Sequence, residues 1–225
     1  NLVFEDLFRK GGIIVSTDGD VVVDKNALNE IVKKFKDPAV GCLTGRVVSA
    51  NPINNMLGYW SHLLADAGAH MVRKEADEKD NFIECSGYLF AFRNNVIEKI
   101  PLDVAEDTYI PYIFYSKGYK IRYADKAFVF VKNPNNFKDW LKQRTRTAKA
   151  HETLDKYVDT KTTPRVKTFR NEIKKGLVWA LSYPQSLREQ WWTFLLIMAR
   201  FYMWSKVYWD TKFKEKHYQD AWERV

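Results

Sequence analysis

Through about residue 154 the sequence alternates short apolar runs with stretches of helical periodicity, and beyond about Arg165 the apolar runs stop. That order constrains the fold more than any other feature. Strands that alternate with helices along a chain pair into a sheet, and the helices cover its faces. Ile13-Ile14-Val15 is predicted as a strand buried on both faces. Residues 40–48 read as another strand, residues 82–92 as a third with Gly87 inside it, and residues 119–131 as one or two more. Residues 1–10, 26–35, 52–72, 106–117 and 137–154 read as helical. Gly11-Gly12, Asp37-Pro38 and Gly118 supply stops, and Asn133-Pro134-Asn135-Asn136 is a turn. Residues 73–81 are charged and are expected to form an exposed loop. The expected class is α/β, with residues 1–160 as one unit and residues 161–225 as a separate helical segment.

Apolar residues make up 46% of the chain and charged residues 28%, which places it among globular rather than disordered sequences. The formal charge of +8 suits three partners: nucleic acid, anionic lipid headgroups or a phosphate-bearing substrate. The two cysteines, Cys42 and Cys85, have no metal-ligand spacing and make no disulfide framework, so they read as small buried residues. Nothing at the start resembles a signal peptide, and no run reaches the roughly 18 apolar residues of a spanning helix.

Four constellations carry chemistry. Asp18-Gly19-Asp20 follows the first apolar run, and two carboxylates just past a strand end suit a hard divalent cation that bridges to phosphate. Glu106-Asp107 opens a helix, where acids stabilise the first turn and where a general base can be presented. Gln143-Arg144-Thr145-Arg146 lies on a helix, as a solvated basic face or as a guanidinium clamp on a diphosphate. Cys85-Ser86-Gly87-Tyr88 sits in a strand-like stretch, where a glycine marks a bulge or a close backbone approach. Singly, each reads equally well as ordinary structure.

In this order and spacing, D-x-D, S-G, E-D and Q-x-x-R, the set resembles the family-2 inverting glycosyltransferases of the GT-A fold, over roughly residues 1–150. The resemblance implies a GT-A-like, Rossmann-like mixed sheet and a nucleotide-sugar donor. It implies Mg²⁺ or Mn²⁺ on Asp20 with Asp18, the latter also near the donor's ribose. Asp107 would be the catalytic base, with Glu106 supporting it. Ser86 and Gly87 would line the sugar and acceptor pocket. Gln143, Arg144 and Arg146 would hold the donor's diphosphate. Asn1 would match an Asn of the helix before the D-x-D strand. Thr147 stands where processive members carry Trp, so processivity is not implied. The family's opening strands, with the Asp that binds the nucleotide base, are expected to precede this sequence.

Six of the eight tryptophans lie beyond residue 160, mixed with Lys and Arg. The stretch from Trp191 to Lys216 suits a helix lying in a bilayer interface. With the resemblance, it leads to an expectation of a peripheral enzyme at the cytoplasmic face of the cell membrane. Its acceptor would be a glycan or lipid-linked. The alternatives are a non-catalytic scaffold built on a degenerate transferase fold and a basic binding module. Nucleic acid is not an expected partner, because acids occupy the places where a phosphate backbone would sit.

Overall fold

The computed structural model describes residues 8, 10–94, 96–149, 154–159, 163, 166, 168, 171 and 176–214. The helix expected over residues 1–10, the match at Asn1 and the 160/161 boundary fall largely or wholly outside these residues. Trp222, Lys216 and the side chain of Lys214 also lie outside them.

Five strands form one mixed sheet: β1 (Ile13–Ser16), β2 (Val22–Val23), β3 (Val40–Ser49), β4 (Phe90–Arg93) and β5 (Lys120–Val131). Their order across the sheet is β1-β4-β3-β5-β2. The β3–β5 pair is parallel and the other three are antiparallel. β1, β3 and β5 therefore point the same way, and their carboxyl ends share one edge. The helices are α1 (Ala27–Lys34), α2 (Met56–Ala65), α3 (Val72–Glu78), α4 (Glu106–Ser116), α5 (Phe137–Lys149), α6 (Leu177–Ser182) and α7 (Leu187–Lys214). A π-helical stretch, Asp66–Met71, joins α2 to α3, and a 3₁₀ turn, Leu154–Lys156, follows α5. This is the α/β, GT-A-like architecture that the resemblance implied.

Both faces of the sheet are covered. Ala27 and Ile31 of α1 pack on Leu43, Ala91 and Val129. Ile110 and Phe114 of α4 pack on Cys42, Phe90, Phe92 and Ile121 on the other face. Cys42 and Cys85 are buried free thiols there, as expected, with their sulfurs 3.4 Å apart. A third cluster joins Tyr59 and Trp60 of α2, Trp140 of α5, and Leu196 and Ala199 of α7. The C-terminal helix thus has one face in the core, and Asp210 on it pairs with Lys149 of α5 at 3.7 Å.

Helix ends follow local chemistry. The Asn55 side chain accepts from Gly58 N–H at 2.9 Å and caps α2. Gly118, at φ +84°, ends α4, and Tyr119 N–H returns to the Phe114 carbonyl at 3.1 Å.

Four expectations need correction. Residues 73–81 are helical through Glu78 rather than a loop. Their charges are partnered: Asp77 accepts from Tyr123 N–H at 3.0 Å and pairs with Arg122 at 3.6 Å. Residues 82–92 form strand only from Phe90, because Leu89 N–H turns back to the Ser86 carbonyl at 3.1 Å. Ile13-Ile14-Val15 is not buried on both faces: β1 lies at the edge of the sheet, with Ile13 and Ile14 half-buried and Val15 exposed. Residues 120–131 make one strand, as the expectation allowed, and its partner register slips from Gly45↔Ala124 to Arg46↔Phe128. Leu154, expected to close the helix from Phe137, lies in the 3₁₀ turn Leu154–Lys156, and the described helix runs Phe137–Lys149.

Gly58 is a tight position, since an added Cβ would collide with the Pro52 carbonyl oxygen. Gly58→Ala is expected to cost about 3 kcal/mol or more in chemical denaturation, the upper end for overpacking.

Candidate active site

The site forms at the edge where β1, β3 and β5 end, the usual ligand edge of an open α/β sheet. β1 stops at Ser16, and Thr17 Oγ1 donates to the Tyr88 carbonyl at 2.8 Å. That bond ties the root of the Asp18-Gly19-Asp20 turn to the segment before β4. Asp18, Gly19 and Asp20 are exposed.

Thr44, buried on β3, fixes the neighbouring segment. Its Oγ1 accepts from Ser86 N–H at 3.1 Å and donates to the Leu89 carbonyl at 3.3 Å. Gly87 N–H then donates to Asp107 Oδ2 at 2.9 Å. A Cβ on Gly87 would sit 3.5 Å from the same oxygen, so the close approach expected at this glycine is made to the Asp107 carboxylate. Asp107 and Glu106 are half-buried in the first turn of α4, where free N–H groups favour negative charge. Asp107 Oδ1 takes a long 3.5 Å bond from Thr108 Oγ1.

α5 closes the third side. Asn133 N–H donates to Asn51 Oδ1 at 2.7 Å, joining the loops after β5 and β3, and Arg144 Nη2 donates to Asn133 Oδ1 at 3.5 Å. Gln143 Nε2 donates to the Tyr88 hydroxyl at 3.3 Å. Thr147 turns its hydroxyl to the Gln143 carbonyl at 3.1 Å, within the helix.

Electrostatics show which residues converge. The Asp18 carboxyl is held above its ordinary value of 3.8, first by partial burial, then by the carboxylates of Asp20 and Asp107, while Arg146 opposes the shift. The D-x-D turn, the E-D helix and the Q-x-x-R helix therefore meet in one field. Ser86 and Gly87 lie between them. Two open hollows elsewhere, about 360 Å³ beside α1 and about 400 Å³ beside Asp80 and Tyr115, contain none of these residues.

Among the described residues no group of three or more His, Cys, Asp or Glu side chains is arranged to hold a metal. Crowded carboxylates on an open turn nevertheless fit Mg²⁺ or Mn²⁺, which keep waters and take further ligands from substrate phosphates. Asp18 and Asp20 would be the protein's share. Three contributors were given no role in the sequence reading: Thr17, Thr44 and Tyr88, the last of which closes the Cys85-Ser86-Gly87-Tyr88 run. Tyr88 directly follows Ser86-Gly87, and that adjacency was the available signal.

Residues 13–205 match glycosyl transferase family group 2. The chain belongs to this family. It is 26% identical over 147 residues to the probable glycosyltransferase YdaM of Bacillus subtilis, covering 63% of this chain and 35% of that protein. It is 25% identical over 150 residues to a hyaluronan synthase of Streptococcus pyogenes, with coverage of 61% and 36%. A chitin synthase of Caenorhabditis elegans matches at 25% over 152 residues, with coverage of 59% and 11%. The chain spans about a third or less of the length of these relatives.

The raised Asp18 value in this family group 2 chain has a testable sign. An ionised carboxylate held against its neighbours destabilises the fold. The penalty is absent below the ordinary value of 3.8, grows as pH rises, and is complete above the raised value. Without divalent cation, Asp18→Asn should melt higher than wild type at pH 7 and equal it near about pH 3.

Proposed function

We propose that this chain is the catalytic part of a glycosyltransferase that moves a sugar from a nucleoside-diphosphate donor to a glycan or lipid-linked acceptor, with inversion. The observation that carries the reading is the convergence of Asp18, Asp20 and Asp107 with Arg146 in one field. Membership of glycosyl transferase family group 2 supports it. So do the names of the relatives, two of which are polysaccharide synthases.

The acceptor oxygen attacks the anomeric carbon from the face opposite the diphosphate. The new C–O bond forms as the bond to the diphosphate oxygen breaks, and its electron pair leaves with the diphosphate. A bound Mg²⁺ or Mn²⁺ would supply neutralisation of the leaving charge. Asp18 and Asp20 would hold that ion. Arg144 and Arg146 add fixed positive charge where the diphosphate's charge develops. Asp107 takes the acceptor's proton on Oδ1, while Gly87 N–H holds Oδ2 and fixes the carboxylate's orientation. Ser86 and Gly87, set by Thr44, form the floor beneath the sugar. Glu106 supports Asp107 from the preceding position.

The α7 helix supports a peripheral seat on the cytoplasmic face of a membrane. Its inner face, Leu196, Ala199, Met203 and Val207, is in the core. Its outer face exposes Trp191, Phe194, Tyr202, Trp209 and Phe213. Arg188 lies over the Trp192 ring at 4.8 Å and Lys212 over Tyr208 at 5.7 Å. Aromatics with adjacent cations suit the headgroup region. No helix among the described residues is long and apolar enough to cross a membrane.

Two tests separate the parts of this reading. Turnover of a panel of nucleotide sugars with Mn²⁺ by the full-length protein should be detected for at least one donor. With a hydroxyl acceptor, Asp107→Asn should then lower kcat by about 100- to 10,000-fold. A loss of tenfold or less would point to an acceptor already ionised, such as a lipid phosphate. No turnover of any donor would return the chain to a non-catalytic scaffold. Flotation with anionic vesicles at low salt should recover the wild type and lose most of a Trp191→Ala/Trp209→Ala variant. A wild type that fails to float would remove the membrane seat.

A further inference from the structure

Tyr88 stands where the two charged segments of the site meet. Its backbone carbonyl holds Thr17 at the root of the Asp18-Gly19-Asp20 turn. Its ring packs against the apolar cluster that includes Leu89, Ala91 and Val129. Its hydroxyl accepts from Gln143 Nε2 of α5 at 3.3 Å. Because Gln143 is the donor in that bond, the phenol's own proton is directed elsewhere. Among the described residues no protein acceptor takes it. At the other end of the same amide, Gln143 Oε1 is buried and has no hydrogen-bond partner. The free phenol proton calls for an acceptor from outside the chain, and the amide oxygen, itself an acceptor, for a separate donor such as water or a sugar hydroxyl.

The surroundings of the hydroxyl narrow what the acceptor of its proton is. Burial raises the Tyr88 phenol above its ordinary value, so it remains a protonated donor at neutral pH; Arg144 lowers it, Asp18 and Asp20 raise it, and Arg146 lowers it. Two guanidinium groups and two carboxylates thus act on one O–H. A cation-bound diphosphate is the substrate group drawn to both kinds of charge together, to the guanidinium groups directly and to the carboxylates through its metal.

We propose that Tyr88 is a substrate-facing catalytic residue, whose hydroxyl donates to an oxygen of the donor's diphosphate while the Gln143 amide holds the phenol in place. This rests on the glycosyltransferase reading above. No proton is transferred from Tyr88. Its hydrogen bond shortens and strengthens as the diphosphate gains charge on leaving, so the contribution falls on the chemical step more than on donor binding.

Tyr88→Phe tests this with little structural disturbance, since the ring and the carbonyl that holds Thr17 are both kept. Steady-state turnover of a nucleotide-sugar panel with Mn²⁺ would be compared between wild-type and Tyr88→Phe full-length protein, alongside thermal melts. The expected result is a loss in kcat of about 10- to 100-fold, with donor KM changed by less than about threefold and an unchanged melting temperature. Wild-type kcat in the variant overturns the assignment and leaves the glycosyltransferase reading intact. A kcat loss accompanied by a clear fall in melting temperature also overturns it, as the hydroxyl would then be acting through the fold. Absence of turnover in the wild type sinks the parent reading, and this assignment with it.

Discussion

A strand hydrogen-bonded along both edges and covered on both faces leaves its side chains no freedom of placement, and β3 is such a strand. It pairs antiparallel with β4 and parallel with β5, and its residues from Val40 through Thr44 are buried. Thr44 is therefore fixed, and its hydroxyl is the point from which the site is set out. It holds Ser86 N–H and reaches the Leu89 carbonyl. The Ser86–Leu89 turn so formed aims Gly87 N–H at Asp107 and the Tyr88 carbonyl at Thr17. Three separate stretches of chain are registered to one another through a single buried hydroxyl and the turn it anchors.

The charges brought together this way oppose folding. Asp18 is raised by partial burial and by two neighbouring carboxylates, with Arg146 as partial relief. A structural site would be expected to pair each acid with its own base, as Asp77 and Asp80 are paired with Arg122 on the far side of the sheet. The contrast between those two acidic groups supports the proposal that the second takes a cation and its phosphate.

Most of this was legible in the sequence where local rules are strong. That β1 is a strand, α1 with its Asp37-Pro38 stop, and the Gly118 end of α4 each follow from residues close in the chain. The place of β1 at the sheet edge, half-buried rather than buried on both faces, does not. The order of D-x-D, S-G, E-D and Q-x-x-R named the segments that the structure gathers. What sequence could not supply was partners distant in the chain. Residues 73–78 looked like a solvated loop because Arg122 and Tyr123, which hold Asp77, lie some forty-five residues on. The stretch before β4 looked like strand because its apolar content is real. Thr44 and the Ser86–Leu89 turn nevertheless divert its backbone from the ladder. Tyr88, named only as the end of a short run, had no role for the same reason: its partner Gln143 lies fifty-five residues away.

The central claim is that the crowded carboxylates of Asp18 and Asp20 serve a cation-bound diphosphate. Calorimetric titration of the full-length protein with a panel of nucleoside diphosphates, with and without Mn²⁺, tests it most directly when wild type and Asp20→Ala are compared. The account predicts that at least one nucleotide binds the wild type only with the cation, and that Asp20→Ala abolishes the cation's effect. Binding that is indifferent both to Mn²⁺ and to Asp20→Ala would contradict it.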